Sequence, residues 1–463
     1  MDTQRLTWNE IAEKYLDPWI GLSDIDWEDD ANIPRKSRIR NAERRFDIMN
    51  HEVDYNAQAR TNPVFLTAKT AICLMARAGI PNATEIVYRL ELEDNQSLQS
   101  MADSDTILGN AIVVEAKYRT MCRLIENSGY RVCVDLPCGY TPKALHLTQK
   151  GLRFFGLDLP IVVQEVAPII RFPDNRSELV SFCEVDATNY ESLATALRNI
   201  DEPLCIATEG MMMYFTENEV DTVIANVRNL LEVHGGCWIT PDPEVKLQFI
   251  ETFRSVFGES SLDKLTTTGR AASKQSGGTN LSNSFILDAA DVTGSRKTAE
   301  ALLAKHGLKA ERINLAEHMP ELSVYRQLTS EQIMRFKEAM NHCNYWIITL
   351  DDMRKPQARQ KQRPFEMSYT LENGILRLTL RGWVDSISAP KILTTWESEK
   401  IANVIDGVEL DCSELEYISS AGVRVLSNIH EDCKCGVELL NINTSVSEIL
   451  VGLPDKKIFC FHN

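Results

Sequence analysis

Four acids recur along the chain, Asp135, Asp158, Asp186 and Glu209, each at the end of a short apolar run. The first opens the turn Asp135-Leu136-Pro137-Cys138-Gly139-Tyr140, where Gly139 lets backbone approach a ligand. An acid about twenty residues beyond such a turn can take two ribose hydroxyls, which is how a nucleotide-binding β-α-β unit reads. Asp158 would then accept from ribose, Asp186, followed by Ala187, from an exocyclic amine, and Glu209 would lie near whatever else the nucleoside carries. Each acid alone is as well explained as a helix N-cap. Their recurrence in one frame points to binding.

The elements that must position them alternate. Strands are predicted at Arg131–Asp135, Arg153–Asp158, Ser181–Asp186, Leu204–Thr208 and Gly236–Thr240, with helices between them at Lys143–Gln149 and Glu217–Glu232. This alternation predicts an α/β fold with a doubly wound, mainly parallel sheet whose ligands bind at the carboxyl ends of the strands. Residues 1–110 read as a helical N-terminal cap, with helical patterns at Trp8–Tyr15, Arg35–Arg45 and Pro63–Ala78, ahead of a domain over 111–352. Thr266–Ser284 is small and polar, the composition of a mobile lid or a disordered insertion. Met353–Pro364 reads as a linker, and residues 365–463 form a separate small α/β domain. Such a linker predicts that the two domains move independently, so that events in one leave the other unaffected.

Composition narrows the function. With 463 residues, 44% apolar and 25% charged, the chain is globular and too long for one core. A net charge of -17 argues against a nucleic-acid partner, because phosphate backbones are gripped by clustered Lys and Arg. No run approaches the roughly twenty apolar residues of a membrane span. Met1–Trp19 mixes acids and bases where a signal peptide would be apolar, so a cytoplasmic protein is expected. The 12 cysteines are scattered and read as reduced, buried thiols, and Cys433-Lys434-Cys435 lacks the second pair a zinc site needs. No metal is expected. Met211-Met212-Met213 reads as soft core.

Phe155-Gly156-Leu157-Asp158-Leu159-Pro160-Ile161-Val162 and Thr208-Glu209-Gly210-Met211-Met212-Met213-Tyr214-Phe215 resemble the leucine carboxyl methyltransferase and polyketide O-methyltransferase family over roughly Lys117–Asp242. The resemblance implies a class I methyltransferase-like fold, S-adenosylmethionine as cofactor, and methylation of a carboxylate or hydroxyl on a small molecule or protein. It also implies that Arg119, or its competitor Arg123, grips the methionine carboxylate, and that Asp135, Cys138, Gly139, Asp158, Asp186, Ala187 and Glu209 line the cofactor. In place of the family's glycine-richer first turn stands Pro137-Cys138-Gly139-Tyr140-Thr141-Pro142. A carboxylate acceptor would need no base. A hydroxyl would, and His146, His234, Tyr140 and Tyr214 are the candidates.

In the last domain, Val408–Leu426 is a strand, a polar turn and an amphipathic helix, with Ser419 and Ser420 where the helix begins. A helix N-terminus favours a phosphate, although one serine can equally be a plain N-cap. With Gly382, Asp385 and Val446–Leu453, the stretch Phe365–Phe461 resembles the STAS module of anti-sigma-factor antagonists. That resemblance implies a docking domain for a regulatory protein or kinase, with Ser420 as the phosphorylated serine. Two functions follow from the whole: a methyltransferase with a regulatory STAS domain, or a non-catalytic nucleoside-sensing signalling protein.

Overall fold

The structure, a computed structural model, describes residues 62–92, 104–170, 172, 175–263, 265, 283–351, 362–433, 437–451 and 460–462. The expected helices Trp8–Tyr15 and Arg35–Arg45, residues 266–282 of the expected lid and residues 353–361 of the linker lie outside them.

The helices used below are α1 Phe65–Ala78, α2 Ser104–Asn127, α3 Lys143–Gln149, α4 Tyr190–Leu197, α5 Glu217–His234, α6 Val245–Phe257, α7 Ala389–Ala402 and α8 Ser420–Asp432. The strands of the first sheet are β1 Val132–Asp135, β2 Arg153–Asp158, β3 Val180–Glu184, β4 Leu204–Ala207, β5 Gly236–Thr240, β6 Leu308–Asn314 and β7 Asn344–Leu350. They lie in the order 3-2-1-4-5-7-6, parallel except for β7, which runs against both neighbours. All five strands expected from the sequence are present, within two residues at each end.

β1 is central, and its four residues are all buried. Alternation sends successive side chains to opposite faces. Cys133, Cys205 and Cys237 therefore join one apolar layer with α1 and α2, whereas Val132, Val134, Ile206 and Trp238 join the other with α4 and α5. Ten cysteines, from Cys73 to Cys433, are free thiols, and all of these but Cys183 are buried. Among the described residues no helix is long and apolar enough to cross a membrane.

The second sheet takes β8 Glu366–Glu372, β9 Ile375–Val384, β10 Gly407–Ile418, β11 Val437–Leu440 and β12 Cys460–His462 in the order 12-11-10-9-8. Its core, built on Leu378, Trp396, Leu410 and Leu426, takes no residue from the first domain. The molecule is thus a doubly wound α/β domain with a small α/β domain of its own core behind it.

The crossover into β5 depends on one residue. Gly236 has φ +105°, and a Cβ there would sit 1.9 Å from the Leu204 carbonyl oxygen of the neighbouring strand. Gly236→Ala is therefore expected to destabilise the first domain by at least about 3 kcal/mol, combining backbone strain with overpacking. Urea unfolding followed by tryptophan fluorescence would check this, and an unchanged midpoint would contradict it.

Candidate functional site

In a doubly wound sheet the crevice opens where strand order reverses, here between the carboxyl ends of β1 and β4. The turn after β1 and the loop after β4 form its walls. Gly139 has φ +53°, and added bulk there would meet nothing nearer than Ala68 Cβ of α1, at 3.8 Å. Asp158 holds this turn: one carboxylate oxygen accepts from Gly139 N–H and the other from Leu159 N–H, both at 2.8 Å. Burial pushes the Asp158 carboxyl up to about 7, while those two N–H groups pull it the other way. Each oxygen keeps a second lone pair for a ligand.

The centre of the crevice holds a group that the sequence reading passed over. Lys143, the first residue of α3 and almost fully buried, places Nζ 2.8 Å from Asp135 Oδ1 and 3.7 Å from Glu209 Oε2. Lys117 approaches the other Glu209 oxygen at 3.8 Å. Burial disfavours the Lys143 ammonium, but Asp135 and Glu209 outweigh it and hold its pKa above the ordinary lysine value. Burial raises the Asp135 carboxyl to about 6 in spite of Lys143. Asp135 Oδ2 and Glu209 Oε2 are buried without a hydrogen-bond partner. Two acceptors thus remain open between two lysines.

A second unread acid shapes the β4 loop. Asp242, just beyond β5, accepts from the backbone N–H groups of Gly210, Met211 and Met212 at 2.6, 3.0 and 2.9 Å. Thr-Pro-Asp-Pro after a strand was the available signal, because a buried acid at a strand end needs donors. On the other wall α1 is latched over the turn. Lys69 pairs with Glu165 at 2.8 Å, Glu165 accepts from the Tyr140 hydroxyl, and Tyr214 donates to Thr67 Oγ1 at 3.1 Å. Met211 and Met212 are buried in the core.

Several expected residues are committed elsewhere. Arg119 Nε lies 2.6 Å from Glu115, its Nη2 donates to Ser323 Oγ at 2.7 Å, and Arg123 donates to the His318 carbonyl. The lysines, not these arginines, reach Glu209. His146 pairs with Glu126, and His234 bonds the Ile200 carbonyl at the far end of α5. Neither histidine is at the crevice. Cys138 is buried, its thiol pushed well up by that burial. The Ala187 carbonyl accepts from Asn226.

Asp186 differs most from expectation. One of its oxygens accepts from Thr188 N–H and Oγ1 at 2.7 and 2.6 Å, and the other accepts from Ser386 N–H, in the second domain, at 2.7 Å. Burial and the nearby Asp385 charge both raise its carboxyl. Four further hydrogen bonds tie the first domain to the chain beyond it. Asn189 Nδ2 donates to Asp385 at 2.7 Å, and Gln362 bonds both Tyr190 N–H and the Thr188 carbonyl. Ser420 N–H donates to Glu219 Oε1 at 2.8 Å. Ser419, not Ser420, is the N-cap of α8, accepting from Gly422 N–H. The expectation of independent domains therefore gives way to a docked pair, because buried acids on the first domain receive backbone donors from the second.

Residues 366–459 match the STAS domain family, so the chain carries a STAS domain at its C-terminal end. No curated protein matches the chain. Similar solved structures include an O-methyltransferase family protein from Burkholderia thailandensis, 13% identical over 62% of this chain and 71% of that one, TM-score 0.30. Human N-acetylserotonin methyltransferase in complex with SAM is 11% identical over 57% of this chain and 61% of its own, TM-score 0.28. PKMT2 from Rickettsia typhi in complex with AdoHcy is 13% identical over 51% and 52%, TM-score 0.26.

The buried cluster generates a pH-dependent prediction. Lys143→Met leaves the buried Asp135 carboxylate without its cation while Lys117 still reaches Glu209, which should cost about 3–5 kcal/mol where Asp135 is ionised. Asp135, already raised to about 6, rises further without the lysine and is neutral in acid. The loss should accordingly be large at pH 8 and markedly smaller at pH 5. Urea titrations of both proteins at the two pH values check this, and a loss that is equal at both contradicts it.

Proposed function

We propose that the first domain binds S-adenosylmethionine at the carboxyl ends of β1, β2 and β4 and transfers its methyl group, in a cytoplasmic protein whose STAS domain is a regulatory docking module. The observation that carries this reading is the pair of unpartnered buried oxygens, Asp135 Oδ2 and Glu209 Oε2, at the switch point beside a turn clasped by Asp158. Such a site fits a ligand with an amino-acid end. Its ammonium would find the two open acceptors, and its carboxylate would find Lys117 and Lys143, the task the family resemblance gives to Arg119. Asp158 would take the ribose hydroxyls.

The cofactor, when bound, supplies a methyl group already activated by the sulfonium. The chain's own residues have the lesser task of alignment, which alone provides much of the rate in such displacements. α1, latched through Lys69 and Thr67, shields the crevice from water. Neither His146 nor His234 reaches the crevice, and burial raises the pKa of Tyr214, so this tyrosine stays protonated and is a poor base at neutral pH. A carboxylate acceptor, ionised without help, suits this arrangement better than a hydroxyl. A carboxylate of a small molecule or of a protein would serve equally. One observation favours the non-catalytic sensor as a second reading: Asp186, the residue proposed for the exocyclic amine, already accepts from the STAS domain.

Calorimetry with S-adenosylhomocysteine tests the binding. Asp158→Ala removes charge-assisted acceptors worth roughly 1.5–3 kcal/mol, so affinity should fall at least about tenfold. Because only the ionised carboxylate accepts with full strength and its pKa lies at about 7, wild-type affinity should rise from pH 6 to pH 8. The mutant should not show this rise. Wild-type protein that ignores millimolar ligand, or a mutant that binds like its parent, sinks the assignment. Transfer of labelled methyl to a carboxylate separates the enzyme from the sensor.

A further inference from the structure

Hydrogen bonds, most of them to acids, join the two domains. Asp186, Asn189 and Glu219 of the first domain meet Ser386, Asp385 and Ser420 of the second, and Tyr190 meets Gln362 of the linker. Among the described residues the STAS core cluster draws on its own domain, and the buried Tyr417 ring, stacked on Trp383, lies at the boundary. Two carboxyl groups, Asp186 and Asp385, face each other within it. The Tyr417 hydroxyl beside them is buried without a hydrogen-bond partner. An obligate interface resembles a domain core cut in half, and this one does not.

The acid at its centre has a second claimant. Asp186 closes the third strand unit, where the proposed reading places the exocyclic amine of the nucleoside; Thr188 fills one of its oxygens with two donors, so the amine is left with the oxygen that Ser386 N–H already reaches. We infer that the STAS domain is a built-in competitor of the cofactor: Ser386 N–H and the nucleoside amine contend for Asp186, so docking and full seating of the cofactor exclude each other. This rests on the function proposed above.

The release point lies at Ser420. Its N–H, at the first residue of α8, donates to Glu219, which also completes the capping box of α5 through Thr216. Glu219 therefore fills the anion position at the start of α8. Negative charge added at Ser420 faces that carboxylate and drives the domains apart. By linkage, whatever loosens the dock tightens the cofactor, and the cofactor loosens the dock by the same factor. Charge at Ser420 is thus felt at the first site, contrary to what a free linker implied.

Two variants of the full chain test this without touching the crevice. Ser420→Pro deletes the N–H at a position where proline is well tolerated, and Ser419 before it has φ -77° and ψ 168°, which a following proline accepts. Ser420→Asp adds the charge. Both should bind S-adenosylhomocysteine about tenfold more tightly than wild type, within the usual range of coupling between sites. In wild-type protein, saturating ligand should speed hydrogen exchange by about tenfold in peptides covering Ser386 and Ser420, whose N–H groups are the docking donors. If all three proteins bind with equal affinity and exchange at those peptides is unchanged, the competition is overturned while the cofactor reading stands. If none binds, the cofactor reading fails and this inference falls with it.

Discussion

The ammonium of Lys143 is the charge on which the carboxyl edge of the first sheet depends. It sits at the first position of a helix, where the dipole disfavours a cation, and it is buried, where any lone charge is costly. Both penalties are met because Asp135 at the end of β1 and Glu209 in the loop after β4 close on it. Without that cation Asp135 would end β1 as a buried acid with no partner, and Glu209 would keep only Lys117. A residue that breaks two local preferences to satisfy a tertiary demand is what a functional site looks like.

This also explains what the sequence reveals and what it hides. The strands were legible because burial on both faces leaves short apolar runs, and the acids were legible because they end those runs. Lys143 was hidden, since its neighbours in sequence say only that a helix starts there. Asp242 carried a signal, an acid between prolines at a strand end, but nothing local names the three amides that depend on it. Asp186 shows the opposite failure: its place at the end of the third strand unit was read, but its partner lies 200 residues away, where no local pattern reaches. Periodicity reports which face of an element is buried. It does not report which other element supplies the donor.

The serine pair illustrates how finely this can turn. A serine at the start of α8 was expected either to cap the helix or to receive phosphate, and the structure divides the two positions. Ser419 caps, leaving Ser420 with its N–H turned toward Glu219 of the other domain. The STAS resemblance marks the same residue. An intramolecular acid thus occupies the place where a phosphate on this domain would be stabilised, and the helix N-terminus is satisfied in the docked state without any modification.

The crevice therefore has two covers of different kinds. On one side α1 lies over Gly139, and its apolar face belongs to the same buried layer as Cys133 and Cys205, so that removing it would expose core. On the other side the STAS domain touches the first domain at the starts of α4 and α5, through hydrogen bonds to acids rather than through shared apolar surface. Hydrogen bonds exchanged with water cost little net free energy, whereas exposed core costs the full hydrophobic term. The contacts of the STAS domain are hydrogen bonds that water can replace, whereas the inner face of α1 is part of the core of the first domain.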